Sequence, residues 1–145
     1  MDWVYEFILS TGAKNILEVG SGTGKLWNRS TSDLPKNSNI LLSDFSWGII
    51  NDAKAKIASG NQHFFTAINA QQLPLANSSK DLIIANHMLY HVPDLKKALK
   101  EFTRVLQKDG TLLCATNGLK HMAEMAIWTQ EALDPTRSEK DYLAN

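Results

Sequence analysis

Nine residues constrain the fold of this chain more than any others: Ile16 to Gly24, ILEVGSGTG. Ile16, Leu17 and Val19 supply the apolar run of a β-strand covered on both faces. Gly20, Gly22 and Gly24 follow at alternate positions, where a chain can turn sharply and approach a ligand that a Cβ would hold away. The pattern predicts a helix from about Gly24 into the RSTSDLPKNS loop, its N-terminal N–H groups and positive dipole end aimed at whatever lies over the turn. A buried strand entering such a turn and then a helix is the opening unit of a parallel α/β sheet that binds a nucleotide or cofactor.

Spacing narrows the choice of ligand. The dinucleotide fingerprint G-x-G-x-x-G needs a third glycine where this chain has Lys25. The phosphate-binding pattern G-x-x-x-x-G-K-[ST], suggested by Gly24-Lys25, needs glycine where Val19 stands and Ser or Thr where Leu26 stands. Both are excluded as written, and E-x-G-x-G-x-G remains, with Glu18 inside the end of the strand.

The other segments repeat the strand–helix alternation. Trp3, Val4, Phe7 and Ile8 are helically spaced over Asp2 to Ser10, before Thr11-Gly12. Strands are expected at Asn15 to Val19, at Asn39 to Ser43, over HFFTAI from His63, over DLIIAN from Asp81, and over TLLCATN from Thr111. Between them, a helix over Ser46 to Ser59 presents Ile50, Ala53 and Ile57. Another follows Pro93 with Asp94 as N-cap and Leu95, Ala98, Leu99, Phe102, Val105 and Leu106 on one face. Lys108-Asp109-Gly110 ends that helix, and a last helix is expected over Leu119 to Leu133. Strands alternating with helices predict a mostly parallel sheet with helices on both faces, in a single domain over residues 1–145.

Bulk properties remove several classes of function. Fifteen basic and fifteen acidic residues cancel, so no general polyanion-binding surface and no nucleic-acid partner is expected. MDWVYEF is not a secretory signal, and no apolar run approaches the roughly 20 residues of a membrane span. These features predict a cytoplasmic protein without a membrane partner. The single cysteine, Cys114, lies in the run TLLCAT and is expected to be a buried, inert thiol. No Cys or His cluster has metal-ligand spacing, and no Ser-His-Asp set is suggested.

A longer ordered series carries a family resemblance. After the glycine turn come Leu73-Pro74, the strand Asp81 to Asn86, the H-x-x-D element His91 to Asp94, Arg104-Val105-Leu106 and the turn Lys108 to Gly110. Together with E-x-G-x-G-x-G, this series, spanning about Ile16 to Asn117, resembles the class I S-adenosylmethionine-dependent methyltransferases of the small-molecule, ubiquinone- and menaquinone-biosynthesis type. The resemblance implies a Rossmann-like doubly wound sheet of order 3-2-1-4-5. It implies S-adenosyl-L-methionine as cofactor, S-adenosyl-L-homocysteine as product, and a small-molecule methyl acceptor. Family members generally continue into two more strands, so the final hairpin strands are expected to be missing here. Strand five would then be an edge open to pairing, and it or the last helix could support a homodimer.

The same resemblance distributes roles over this chain. Glu18, Gly20, Ser21 and Gly22 would surround the methionine portion, and Asp44 would hold both ribose hydroxyls. Asn69 and Ala70 would sit beside the adenine edge, while Phe45, read from its place after Asp44 and not from the resemblance, is expected either against the adenine face or packed as a core aromatic at the helix entry. Asn86 would offer its backbone carbonyl to the methionine amine. At Asn69 the family usually has an acid, and a neutral amide oxygen accepts a hydrogen bond more weakly. Within the segment NHMLYH, His91 is the candidate general base, ahead of Tyr90 and His87. His63 and His121 suggest no site, Trp27 suggests packing, and Trp47 packing or cleft lining. Two other readings stand beside methyl transfer: a module that binds the cofactor without turnover, and a nicotinamide-dependent oxidoreductase, which Lys25 and the absence of a Tyr-x-x-x-Lys pair oppose.

Overall fold

The computed structural model describes residues 2–28, 35, 37–57 and 62–116. In chain order the elements are α1 (Asp2–Thr11), β1 (Asn15–Val19), β2 (Asn39–Asp44), α2 (Trp47–Lys56), β3 (His63–Ala67) and β4 (Lys80–Asn86). A single 3₁₀ turn (Leu89–His91), α3 (Leu95–Val105) and β5 (Leu106–Ala115) follow. The strands form one parallel sheet in the order β3-β2-β1-β4-β5, as the sequence and the resemblance predict. The order reverses between β1 and β4, where the carboxyl ends of the strands leave a crevice.

Strand alternation sorts the core into two layers. Ile16, Ile40, Leu42, Leu82 and Ile84 face one side, where Val4, Tyr5 and Ile8 of α1 and Ala53 of α2 cover them. Leu17, Val19, Ile83 and Ala85 face the other, under Ala98, Phe102 and Val105 of α3. Helices therefore lie on both faces, and successive strand residues are buried because both faces are covered. Side chains lock the ends of the strands: the Ser43 hydroxyl donates to the Glu18 carbonyl (2.7 Å), and Asp81 accepts from the N–H groups of Lys14 and Asn15 (2.7 and 2.9 Å).

Several expectations need correction. No helix follows Gly24 within the described residues. Gly24 N–H donates to Ser21 O and Trp27 N–H to Gly24 O, two tight turns that drive Leu26 and Trp27 into the α1 side of the core. On α1 the buried stripe is Val4, Tyr5 and Ile8, while Trp3 and Phe7 are exposed. Helix α2 stops at Lys56 with Ile57 as its C-cap. Leu95 and Leu99 lie on an exposed flank of α3 rather than in its core stripe, although Asp94 caps the helix as expected, accepting from Lys97 N–H at 2.9 Å. β5 begins at Leu106, not Thr111, and Lys108 to Gly110 form an irregularity inside its pairing with β4, with Asp109 at φ 65°. Cys114 is exposed rather than buried, and partial desolvation pushes its thiol above the ordinary value. The expected last helix and His121 lie outside the described residues. Within the described residues, no helix is long and apolar enough to cross a membrane and no cluster of His, Cys, Asp or Glu could hold a metal ion.

Candidate functional site

The glycine turn is fixed from below by the neighbouring strand. Ser21 N–H donates to Ser43 O (2.9 Å), and Gly22 N–H donates to Asp44 Oδ2 (3.1 Å). The other carboxylate oxygen of Asp44 accepts from Ser46 N–H (3.0 Å) at the entrance to α2, where the Ser46 hydroxyl caps Ile49 N–H. One carboxylate at the end of β2 thus joins the turn after β1 to the helix after β2. Asp44 sits at the entrance to α2 and also lines the cleft.

Gly20, Gly22 and Gly24 all have positive φ, but only one leaves open space. A Cβ on Gly20 would stand 2.6 Å from the Met88 Cβ, and one on Gly24 would strike the Ile57 and Leu42 side chains. Nothing lies within 4 Å of a Cβ on Gly22. The close approach that glycine permits is therefore to the protein's own side chains at 20 and 24, while 22 faces open space beside a cleft.

That cleft has a volume of about 550 Å³, within the usual range for small-molecule sites. It brings together Gly20, Asp44, Phe45, Asn69, Ala70 and His91 of the expected site. Phe45 is 80 % exposed, its ring free to meet a flat ligand. Asn69 Oδ1 accepts from Gln71 N–H (2.9 Å), an Asx turn that presents Ala70 and Gln71 to the cleft. His87, Met88, His91, Val92 and Pro93, from the segment after β4, complete the lining with Val19, Ile49 and Ile68. His87 has φ 52° and is held there by its N–H to Ala115 O (2.7 Å), a left-handed conformation that costs about 1–2 kcal/mol. His91 is exposed, its ring 4.4 Å from that of Tyr90. Among the described residues no Lys or Arg side chain lines the cleft, and Asp44 is the one carboxylate that does.

Glu18, Ser21, Gly22 and Asn86 are not among the lining residues. Glu18 shares the strand face of Ile16, is 4 % exposed, and accepts from the indole N–H of the buried Trp27 at 2.7 Å. Burial pushes its carboxyl from 4.5 up to about 8; the Trp27 hydrogen bond opposes the rise and the Asp44 carboxylate adds to it. Tyr5 and His63 rings pack edge-on to Trp27 at 6.4 and 6.3 Å, so the expected packing role of Trp27 also positions an acid. Ser21 Oγ and Asn86 Oδ1 are buried without hydrogen-bond partners at this end of the sheet. Trp47 and Tyr90 are exposed and do not line the cleft. Sequence reasoning missed Ile49, Ile68, Gln71, Met88, Val92 and Pro93. The rule that ligands sit beyond the carboxyl ends of parallel strands marks all of them except Ile49, which enters from α2.

Sheet order and crevice define a Rossmann-like α/β protein with a cleft at the β1/β4 reversal. Residues 17–114 match the family of the methyltransferase domain, and the chain belongs to that family. The ubiquinone/menaquinone biosynthesis C-methyltransferase UbiE of Rickettsia prowazekii is 35% identical over 120 residues, covering 77% of this chain and 48% of that protein. Its Campylobacter jejuni counterpart is 40% identical over 102 residues, covering 68% and 42%. The chain thus spans about half the length of the curated relatives it matches. Among solved structures, the trans-methyltransferase CalH in complex with SAH superposes with a TM-score of 0.66 at 25% identity, over 77% of this chain and 35% of that one. A putative methyltransferase from Bacillus halodurans superposes at 0.69 with 20% identity, over 97% and 64%, and shows the shared fold. Family membership leaves the oxidoreductase reading without support.

Proposed function

We propose that this chain binds S-adenosyl-L-methionine and belongs to an enzyme that methylates a small molecule. The observation that carries the reading is Asp44, a carboxylate at the end of β2 tied to the glycine turn, in a cleft that no described Lys or Arg lines. Such a site suits a ligand that brings ribose hydroxyls and its own positive charge. The residues fit that ligand in other respects. Phe45 offers an exposed ring for adenine, Asn69 and Ala70 its edge, and Gly22 an open approach to the backbone. Glu18, Ser21, Gly20 and the Asn86 carbonyl complete the methionine end, where buried Ser21 Oγ and Asn86 Oδ1 still lack partners. The bound SAH in CalH and the family membership support the same cofactor.

When bound, the cofactor supplies a methyl carbon already activated by a sulfonium sulfur. What remains for the protein is to hold donor and acceptor in line and keep water out. His91, which lines the cleft with Asn69 and Ala70, would accept the acceptor's proton where the acceptor is a hydroxyl or an acidic carbon. The relatives' names point to carbon methylation of a quinone precursor as the first acceptor class to test. The reading places the protein in the cytoplasm. It also includes a homodimer paired along the outer edge of β5, which a single monomeric species in sedimentation equilibrium across a wide concentration range would remove.

The experiment is calorimetric titration with S-adenosylmethionine and S-adenosylhomocysteine, with NADH as control, on wild type and Asp44→Ala. Saturable binding of both adenosyl ligands is expected. Asp44→Ala is expected to weaken it about tenfold or more, the size of a lost charge-assisted hydrogen bond. Binding of NADH alone, or adenosyl binding indifferent to Asp44→Ala, overturns the reading.

A further inference from the structure

We propose that Arg104 is a positioning residue for the cofactor cleft: through Glu101 and the loop of residues 68–79, it sets the wall that presents Asn69, Ala70 and Gln71. The inference rests on the proposed cofactor reading for its ligand, though not for its geometry.

That wall is a loop between β3 and β4, and its internal bonds only shape its tip. Gln72 N–H donates to Asn69 O and Gln71 N–H to Asn69 Oδ1, both at 2.9 Å. Beyond Ile68, whose N–H reaches Asp44 O, the hydrogen bonds that attach the loop to other elements run to α3 and its caps. Leu73 N–H donates to Glu101 Oε2 (2.8 Å), and Ser78 and Ser79 N–H donate to Arg104 O and Val105 O (2.9 and 2.8 Å). At the near end of the helix, Asp94 N–H donates to Gln71 Oε1 (2.7 Å), directly across from the cleft.

Arg104 is the centre of this attachment. Its guanidinium has five N–H donors in a planar fork, and all are engaged. Nε and Nη2 grip the two oxygens of Glu101 (2.8 and 2.7 Å). Nη2 also donates to Leu73 O (2.9 Å), and Nη1 donates to Leu75 O and Asn77 Oδ1 (2.7 and 2.8 Å). Glu101, paired in this way, is held at about 2, well below the usual carboxylate range, so the clamp stays charged at any physiological pH. No lysine can replace it, because a single ammonium cannot reach three acceptors and two carboxylate oxygens in one plane.

The consequence for the cleft follows from the helix itself. α3 starts at Asp94, directly after the cleft residues His91, Val92 and Pro93, and ends at Val105, next to Arg104. One rigid helix therefore carries the wall bearing His91 at its start and clamps the wall bearing Asn69 along its length. The gap between the adenine edge and the proposed base is fixed by α3, and Arg104 acts on it without lining the cleft.

The test uses Arg104→Lys, which keeps charge and most of the alkyl packing, alongside Arg104→Gln, Asn69→Ala and the double variant Arg104→Lys/Asn69→Ala. In hydrogen exchange without ligand, Arg104→Lys is expected to speed the amides of residues 71–75 at least tenfold while those of β1 and β4 keep their protection. In calorimetry, Arg104→Lys is expected to raise the Kd for S-adenosylhomocysteine about tenfold, and by less than threefold once Asn69 is alanine, because both changes act on one wall. Unchanged exchange at 71–75 overturns the inference, as does a binding loss that simply multiplies with that of Asn69→Ala. A wild-type protein that fails to bind S-adenosylhomocysteine overturns the cofactor reading and with it the role in binding, whereas the exchange result still decides whether Arg104 holds the loop.

Discussion

Replacing Glu18 by glutamine is expected to stabilise the ligand-free protein relative to wild type, by an amount that grows with pH. Glu18 is 4 % exposed, and burial raises its carboxyl from 4.5 to about 8 against the pull of the Trp27 N–H. In the unfolded chain the carboxyl is solvated and returns to its ordinary value. Between these two values the folded protein keeps a proton that the unfolded chain has released. The unfolded state then binds fewer protons, so stability falls as pH rises. The contribution of Glu18 is fully present below 4.5 and is lost progressively up to about 8. At ~1.4 kcal/mol per pH unit, this amounts to about 3 kcal/mol between pH 5 and 7.5. Glutamine has nearly the same shape, does not titrate, and keeps an oxygen for the indole N–H. Urea unfolding of both proteins at intervals from pH 5 to 7.5 gives the difference in stability at each pH, from which the titration of other groups largely cancels. A difference that rises by about 3 kcal/mol supports the argument. A flat difference refutes it, since Glu18 would then be ionised in the folded state with a cation or water beside it.

Trp27→Phe keeps the buried ring but removes the donor that lowers the Glu18 carboxyl, so the pH at which stability levels off is expected to move further alkaline, read from the same unfolding series. Gly20→Ala places a Cβ 2.6 Å from that of Met88 at φ 69°, and is expected to lower stability by the ~1–2 kcal/mol of the left-handed conformation plus the clash. Adding Met88→Ala removes the Cγ, 2.8 Å from the new Cβ, but keeps the Met88 Cβ, so it is expected to recover only part of the clash, and complete recovery of stability would show that neither the remaining contact nor the backbone conformation costs anything. His91→Ala is expected to lower methyl transfer to a hydroxyl acceptor by about 10²-fold or more while S-adenosylhomocysteine affinity stays within threefold; an equal loss of both would assign His91 to binding instead.

The parts of this fold legible in the sequence were those fixed by local spacing. The alternating glycines, the strand cores and the Asp94 cap all depend on neighbours within a few residues, and each is found where expected. The misreadings depended on distant partners. Leu26 and Trp27 both turn inward, Trp27 to donate to Glu18, and the polar residues that follow favour turns, so local pattern overestimated the helix after Gly24. Leu95 and Leu99 fit the helical period of α3 as well as Phe102 does, but periodicity gives an apolar flank and not which part of it the sheet covers. The early start of β5 rests on an irregular register with β4, invisible until the two strands are paired.

Glu18 shows how these two kinds of information combine. The motif E-x-G-x-G-x-G collects residues around one ligand but does not say from which side each acts. Period-two alternation along β1 does: Ile16 and Glu18 share the face under α1, while Leu17 and Val19 share the face that leads into the cleft. The two acids at the ends of β1 and β2 therefore cannot do the same job. Asp44 lines the cleft, where the proposed cofactor would meet it, and is bound to the turn by Gly22 N–H. Glu18 is buried behind the turn, where it accepts from the Trp27 indole N–H. The raised carboxyl of Glu18 follows from its burial and from the Asp44 carboxylate, and a cofactor that brings a positive charge, as proposed above, would lower it.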